Sequence, residues 1–134
     1  NLFKKTTGPQ LLAVEGIDTS FATLDLGRTA DMLFSGNTYH GIAKRTENPV
    51  TVRHVQGTAS SVWNVDLSDV SPFGSEVRGG ISFLAEGPLR SASNVIIYVT
   101  PYAEPGQGAG GRTLRMRWQQ DVRGTAQITA RFDV

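Results

Sequence analysis

NVIIYVTPYAEPGQGAGGRTLRMRWQQ, residues Asn94–Gln120, joins an uncharged run of β-branched and aromatic residues, a gap rich in proline and glycine, and a run alternating arginine with large apolar residues. In the last part Leu114, Met116 and Trp118 fall on one side of an extended chain. Arg115, Arg117 and Gln119 fall on the other, the period of a strand with one wet face. The glycine cluster GQGAGG precedes this strand and not a helix, and no Lys-Ser/Thr pair follows it. Phosphate-binding glycine loops work through backbone N–H groups converging at a helix start, so the cluster reads as a hairpin loop. The first part differs. In an extended Asn94–Thr100, Val95, Ile97 and Val99 share one side while Ile96 and Tyr98 share the other, so neither face is polar. Such a strand needs a cover on its outer face, either a loop of the same chain or a neighbouring subunit, and Ile96 and Tyr98 are the candidate subunit-interface residues.

The same period recurs along the chain. In SVWNVDLS, Trp63, Val65 and Leu67 point one way, Asn64 and Asp66 the other; in TAQITARFDV, Ala126, Ile128, Ala130 and Phe132 oppose Gln127, Thr129 and Arg131. No stretch of helix length carries apolar residues at 3.6 spacing, and 15 glycines and 6 prolines punctuate short runs. Strands are expected at Gln10–Glu15, Phe21–Leu26, Asp31–Phe34, Val50–Gln56, Ser61–Leu67, Val77–Ala85, Asn94–Thr100, Thr113–Gln119 and Thr125–Asp133. Tyr102–Gly111 is expected as a loop. Strands of this number and length predict an all-β fold, a two-sheet antiparallel sandwich of jelly-roll type with essentially no helix.

The chain has 134 residues, enough for one domain with a core that needs no staples. Charge is balanced, 13 basic against 12 acidic residues, which implies no field toward nucleic acid or an anionic membrane. The absence of cysteine removes thiol catalysis, cysteine-rich zinc sites and disulfides. No apolar run reaches the length of a membrane span, and a start at Asn1 without methionine suggests a fragment of a longer protein.

Catalytic patterns are weak. No Ser-His-Asp arrangement or G-x-S-x-G elbow is present, and two histidines, His40 and His54, do not make a zinc site. Asp66 and Asp69, or Glu86 and Glu104, could pair across a sugar as in glycosidases, but scattered acids make such pairs common. Asp66–Asp69 reads as a turn before it reads as a calcium loop. No catalytic residue, metal or cofactor is expected. Sugar recognition asks for an aromatic ring against a pyranose with polar side chains beside it. Trp63 and Trp118 fall on inward faces, which leaves Tyr39 and Tyr102 in loops, with Asn37, His40 and Glu104 near them, as candidates. The outward Arg115 and Arg117 could meet an anionic saccharide, although cross-strand ion pairs are the commoner use of such a row.

The segments GTASSVWNVDLSDVSPFG (Gly57–Gly74) and AEGPLRSASNVIIYVTPY (Ala85–Tyr102), with the closing TAQITARFDV, resemble the C-terminal domain of bacteriophage tailspike and tail-fibre proteins. The resemblance spans about the last 80 residues and implies a β-sandwich at the distal end of a homotrimer. Such a domain trimerises and attaches to host-surface polysaccharide or receptor. Residues 1–9 would be the exit from an upstream element, and any depolymerase activity would belong to the longer parent chain. The protein would then be made in the bacterial cytoplasm and reside in the virion, without nucleic acid or membrane insertion. A monomeric carbohydrate-binding module or lectin is the main alternative, and a jelly-roll coat subunit a third, for which Lys4-Lys5 is the only trace of a basic arm.

Overall fold

A computed structural model describes residues 1–16, 20 and 32–133. The fold is all-β, an antiparallel two-layer sandwich, and the helical content among the described residues is two single-turn 3-10 segments, Pro72–Gly74 and Ala109–Gly111. The strands are β1 (Leu2–Lys4), β2 (Thr38–His40), β3 (Val50–Asp66), β4 (Gly79–Ala85), β5 (Arg90–Ser91), β6 (Tyr102–Gln107) and β7 (Thr113–Arg131).

Expected neighbours merge. Val50–Gln56 and Ser61–Leu67 are the two ends of the 17-residue β3, and Thr113–Gln119 and Thr125–Asp133 are the two ends of the 19-residue β7. These strands pair antiparallel from end to end except around the middle, where the register shifts between Gln56 and Ser60 and between Ser60 and Val62. Irregularity of this kind bends a strand pair and raises its twist. On the other edge of β7 the chain descends in instalments. β4 pairs with Ala126–Arg131, β5 with Val122 and Arg123, and β6 with Thr113–Arg117. The bend folds this three-stranded ribbon over on itself. One layer holds β4 with the first half of β3 and the last half of β7; the other holds β6 with the remaining halves.

The inner faces are the ones the alternation specified. Trp63, Val65, Leu67, Leu114, Met116, Trp118, Ala126, Ile128, Ala130 and Phe132 are all buried in one core. Trp63 lies between the layers: its ring centroid is 5.4 Å from His54, 6.2 Å from Phe83 and 4.8 Å from Trp118, and its indole N–H donates to the Val122 carbonyl at 2.9 Å. The layers approach closely at Gly80, where a Cβ would sit 3.1 Å from the Ala103 methyl and 3.3 Å from Leu114.

Three expectations change. Asn94–Thr100 is no ladder strand: its backbone pairs only around a single bridge between Arg90 and Ile96, through Ser91 N–H to the Val95 carbonyl and Ile97 N–H to the Leu89 carbonyl, and Arg123 of β7 donates to the Asn94 side chain. From Ile96 on its side chains alternate, Ile97 and Val99 packing on the core and Ile96 and Tyr98 facing out, but Val95, expected beside Ile97, is exposed as well. The partner of β7 at this level is instead β6, inside the expected Tyr102–Gly111 loop, so that the hairpin loop shrinks to the residues after Gln107. Pro105 and Gly106 disguise β6; a proline is tolerated there because β6 is an edge strand with a register shift between Glu104 and Gln107. Gln10–Glu15 forms only a bridge from Leu11 to Ile42, and Phe34 only one to Asn48. Phe21–Leu26 and the start of Asp31–Phe34 lie outside the described residues. Apart from the main sheet, β1 and β2 pair in parallel.

Asn48 fastens the segment before β3 to the end of the chain. It is 1% exposed; its side chain donates to Asp133 Oδ1 at 2.9 Å and to the Met32 carbonyl, and accepts from the Phe132 N–H at 3.0 Å. Asp133 also accepts from Arg131 Nε at 3.1 Å and Nη2 at 2.5 Å. Hydrogen bonds from Arg131, helped by Asn48 and opposed by burial, hold the Asp133 carboxyl down at about 2.

Gly124, on the bend of β7, has φ +151, and a Cβ there would lie 2.7 Å from Leu89 Cδ2. Gly124→Ala should cost about 1–3 kcal/mol through strain and overpacking, read as a lower urea midpoint at unchanged slope. The depressed Asp133 carboxyl gives a second expectation. Its unfolded reference is 3.8, so its contribution is complete above about pH 5 and is lost as pH falls through 3.8 toward 2. Asp133→Asn should be less stable by about 1–3 kcal/mol at pH 7, and the two unfolding midpoints should converge as the pH approaches 2.

Candidate functional site

The structure sorts the sequence-derived site residues into two groups on different sheets. Tyr39 and His40 lie on β2 of the small sheet, with Asn37 just before it. The Tyr39 ring stacks on Phe3 with centroids 5.5 Å apart, and its hydroxyl donates to the Thr46 carbonyl at 2.6 Å. Burial is the main cause pushing its phenol up. Asn37 Oδ1 accepts from the Asn1 side chain at 3.2 Å, and His40 is exposed. Close by, Glu15 forms an ion pair with Lys44 at 2.6 Å and accepts from Thr46; burial raises its carboxyl, but those two partners outweigh it and leave it lowered. The ring and hydroxyl of Tyr39 are thus committed to packing inside its own segment.

The second group is assembled by strand register. Tyr102 lies opposite Arg117, which lies opposite Val62; Glu104 lies opposite Arg115, which lies opposite Asn64. Residues directly opposite in an antiparallel ladder share a face, so Tyr102, Glu104, Arg115, Arg117 and Asn64 form one platform on the outside of the β3–β7–β6 layer. Arg117 Nε donates to Glu104 Oε2 at 3.0 Å, Arg115 Nη1 lies 3.7 Å from the same oxygen, and Arg115 Nε donates to Asn64 Oδ1 at 3.3 Å. The expected cross-strand ion pairing is therefore present, with two arginines on one acid. Tyr102 is 64% exposed. Asn64 was absent from the sequence-derived candidates, yet the alternation of SVWNVDLS already put it on this outer face.

Ile96 and Tyr98, the interface candidates, are 42% and 94% exposed, with Val95 at 60% beside them. They rim an apolar groove of about 470 Å³ whose wall includes Phe83, Pro88, Leu89 and Val99. No backbone hydrogen bond joins Tyr98, Val99 or Thr100 to another described residue.

Other chemistry-bearing features resolve into structure. The glycine loop has no helix behind it, and the space over Gly106 and Gly111 is taken by the Glu76 side chain, which a Cβ would meet at 2.7 and 2.4 Å. Asp66 Oδ1 accepts the Ser68 N–H at 3.0 Å, a turn whose backbone hydrogen bond lowers the Asp66 carboxyl. His54 Nε2 lies 3.2 Å from Gln56 Oε1. Among the described residues, no cluster of His, Cys, Asp or Glu could hold a metal ion, and no helix is long and apolar enough to cross a membrane.

No protein-family model matches the chain, and neither curated proteins nor solved structures gave a match.

Tyr39→Phe should lower stability by about 1 kcal/mol by leaving the Thr46 carbonyl short of its donor. Thermal or urea unfolding measures this, and the small-sheet environment of Phe3 should be the region whose NMR signals move.

Proposed function

We propose that this chain is a non-catalytic assembly and host-attachment module of a phage tailspike or tail fibre, forming a homotrimer and meeting bacterial surface polysaccharide. The observation that carries the assembly half is the row Val95, Ile96 and Tyr98, large apolar side chains with exposures of 60%, 42% and 94%. Apolar surface gathered beside a groove favours association, since covering it removes hydrocarbon from water at about 25 cal/mol per Å². Second and third copies of the chain are the occupants that fit, because a closed cyclic assembly repeats one patch on every subunit. The resemblance to tailspike C-terminal domains supplies the count of three. Catalysis lies outside this reading, any depolymerase activity belonging to a longer parent chain, and the protein acts in the virion. The same sandwich as a monomeric lectin is the rival reading.

Light scattering across a dilution series should give three times the chain mass. Tyr98→Asp should dissociate the assembly while the melting transition stays cooperative and near that of the wild-type subunit. A clean wild-type monomer sinks the assembly reading and favours the lectin. An unfolded Tyr98→Asp protein would show that the residue serves the subunit's own packing instead.

A further inference from the structure

The outer faces of the two layers are wired differently. On the β3–β7–β4 layer, Glu86 engages both carboxylate oxygens, Oε2 with Arg53 Nε at 2.6 Å and Oε1 with Gln127 Nε2 at 3.0 Å. One arginine meets one acid there. On the β3–β7–β6 layer, Arg115 and Arg117 share a single oxygen of Glu104. Among the described residues no hydrogen-bond acceptor meets the Nη atoms of Arg115 or Arg117, nor does a donor meet Glu104 Oε1. The two guanidinium groups are held at their Nε ends, by Asn64 and Glu104, with their side chains 30% and 37% exposed. Two residues apart on one strand, they stand about 7 Å from each other along the same face.

We propose that this platform binds an acidic saccharide. The sugar carboxylate is gripped by the terminal nitrogens of Arg115 and Arg117, and a pyranose ring packs on Tyr102. The planar fork of arginine matches a carboxylate edge, and anchoring at Nε leaves the outer nitrogens without a hydrogen-bond acceptor among the described residues. Tyr102 offers a broad ring directly across from Arg117. Glu104 Oε1 can accept from a sugar hydroxyl, and the Asn64 amide can donate to one. Three strands about 4.8 Å apart make a face about 10 Å across, matching one or two rings of a chain lying flat. The inference rests on the attachment half of the proposed function and deepens it by naming the ligand class.

The test uses the full chain and a panel of oligosaccharides of glucuronic, galacturonic and sialic acid. Neutral oligomers of matched length and inorganic phosphate are the controls, followed by NMR and calorimetry. At least one acidic oligosaccharide should bind, moving the Arg115 and Arg117 Nε–H and Tyr102 ring signals, and its neutral counterpart should bind about tenfold more weakly or worse. Arg115→Gln and Arg117→Gln should each weaken the acidic ligand about tenfold, and Arg117→Lys should not restore it fully. Tyr102→Ala should weaken the saccharide but leave phosphate unchanged. Equal binding of neutral and acidic oligomers overturns the proposal. So does phosphate binding as tightly as the saccharide, signals moving elsewhere, or no binding at all. If an arginine variant fails to fold, Tyr102→Ala and the wild-type signal map decide. Light scattering on the same samples separates the two readings. A monomer that binds through this face overturns assembly alone, and a trimer that binds nothing overturns this inference alone.

Discussion

A strand has two hydrogen-bonding edges, and β7 has both of its edges occupied. β3 takes one along nearly its whole length; β4, β5 and β6 divide the other. Every ladder of the main sheet therefore runs through β7, and its 19 residues fix the register of everything else. The constraint also explains which segments are left out. Between Ser91 and Tyr102 the chain leaves the edge of β7 and returns to it, so Asn94–Thr100 pairs only briefly, around Ile96 opposite Arg90, despite its β-forming composition.

Folding the ribbon in two then decides what each side chain meets. The bend near Gln56–Ser60 and Gly124 brings the two halves of β3 against each other, which is why His54 and Trp63 of the same strand are ring neighbours at 5.4 Å. Within the interior so formed, the Trp63 indole N–H reaches the Val122 carbonyl beside the bend. That hydrogen bond ties the central ring to the backbone at the place where the sheet turns over. Asn48 plays the matching part at the far end, satisfying the Phe132 N–H and the Asp133 carboxylate from within the core.

Side-chain direction was the legible part of the sequence, because a period of two survives any mistake about where a strand begins or ends. Trp63, Leu114, Met116, Trp118, Ile128 and Phe132 all point inward as their alternation requires. Strand ends were illegible where glycine and polar residues carried a bend through an irregular stretch of the ladder: Gly57–Ser60 and Gln120–Gly124 fell between expected strands yet lie within β3 and β7. Pro105 hid β6 for the converse reason, since an edge strand tolerates what a central strand does not. Which candidates would meet in space was illegible too. Tyr39 and Tyr102 looked alike as aromatic loop residues, and only register put Tyr102 beside two arginines while Tyr39 turned toward Phe3 and Thr46.

The excursion and the platform owe their contrast to the same topology. Asn94–Thr100 sends Ile97 and Val99 onto the core because the open side of the sandwich beside Phe83 and Leu89 needs hydrocarbon there. Alternation then obliges Ile96 and Tyr98 to point the other way, where no element of the described chain covers them. On the platform the alternation works on β7 in the opposite sense. Leu114, Met116 and Trp118 fill the core, and the intervening Arg115 and Arg117 are held at the surface by a single carboxylate. One rule of strand geometry thus yields an exposed apolar row and a polar face whose donors outnumber their acceptors.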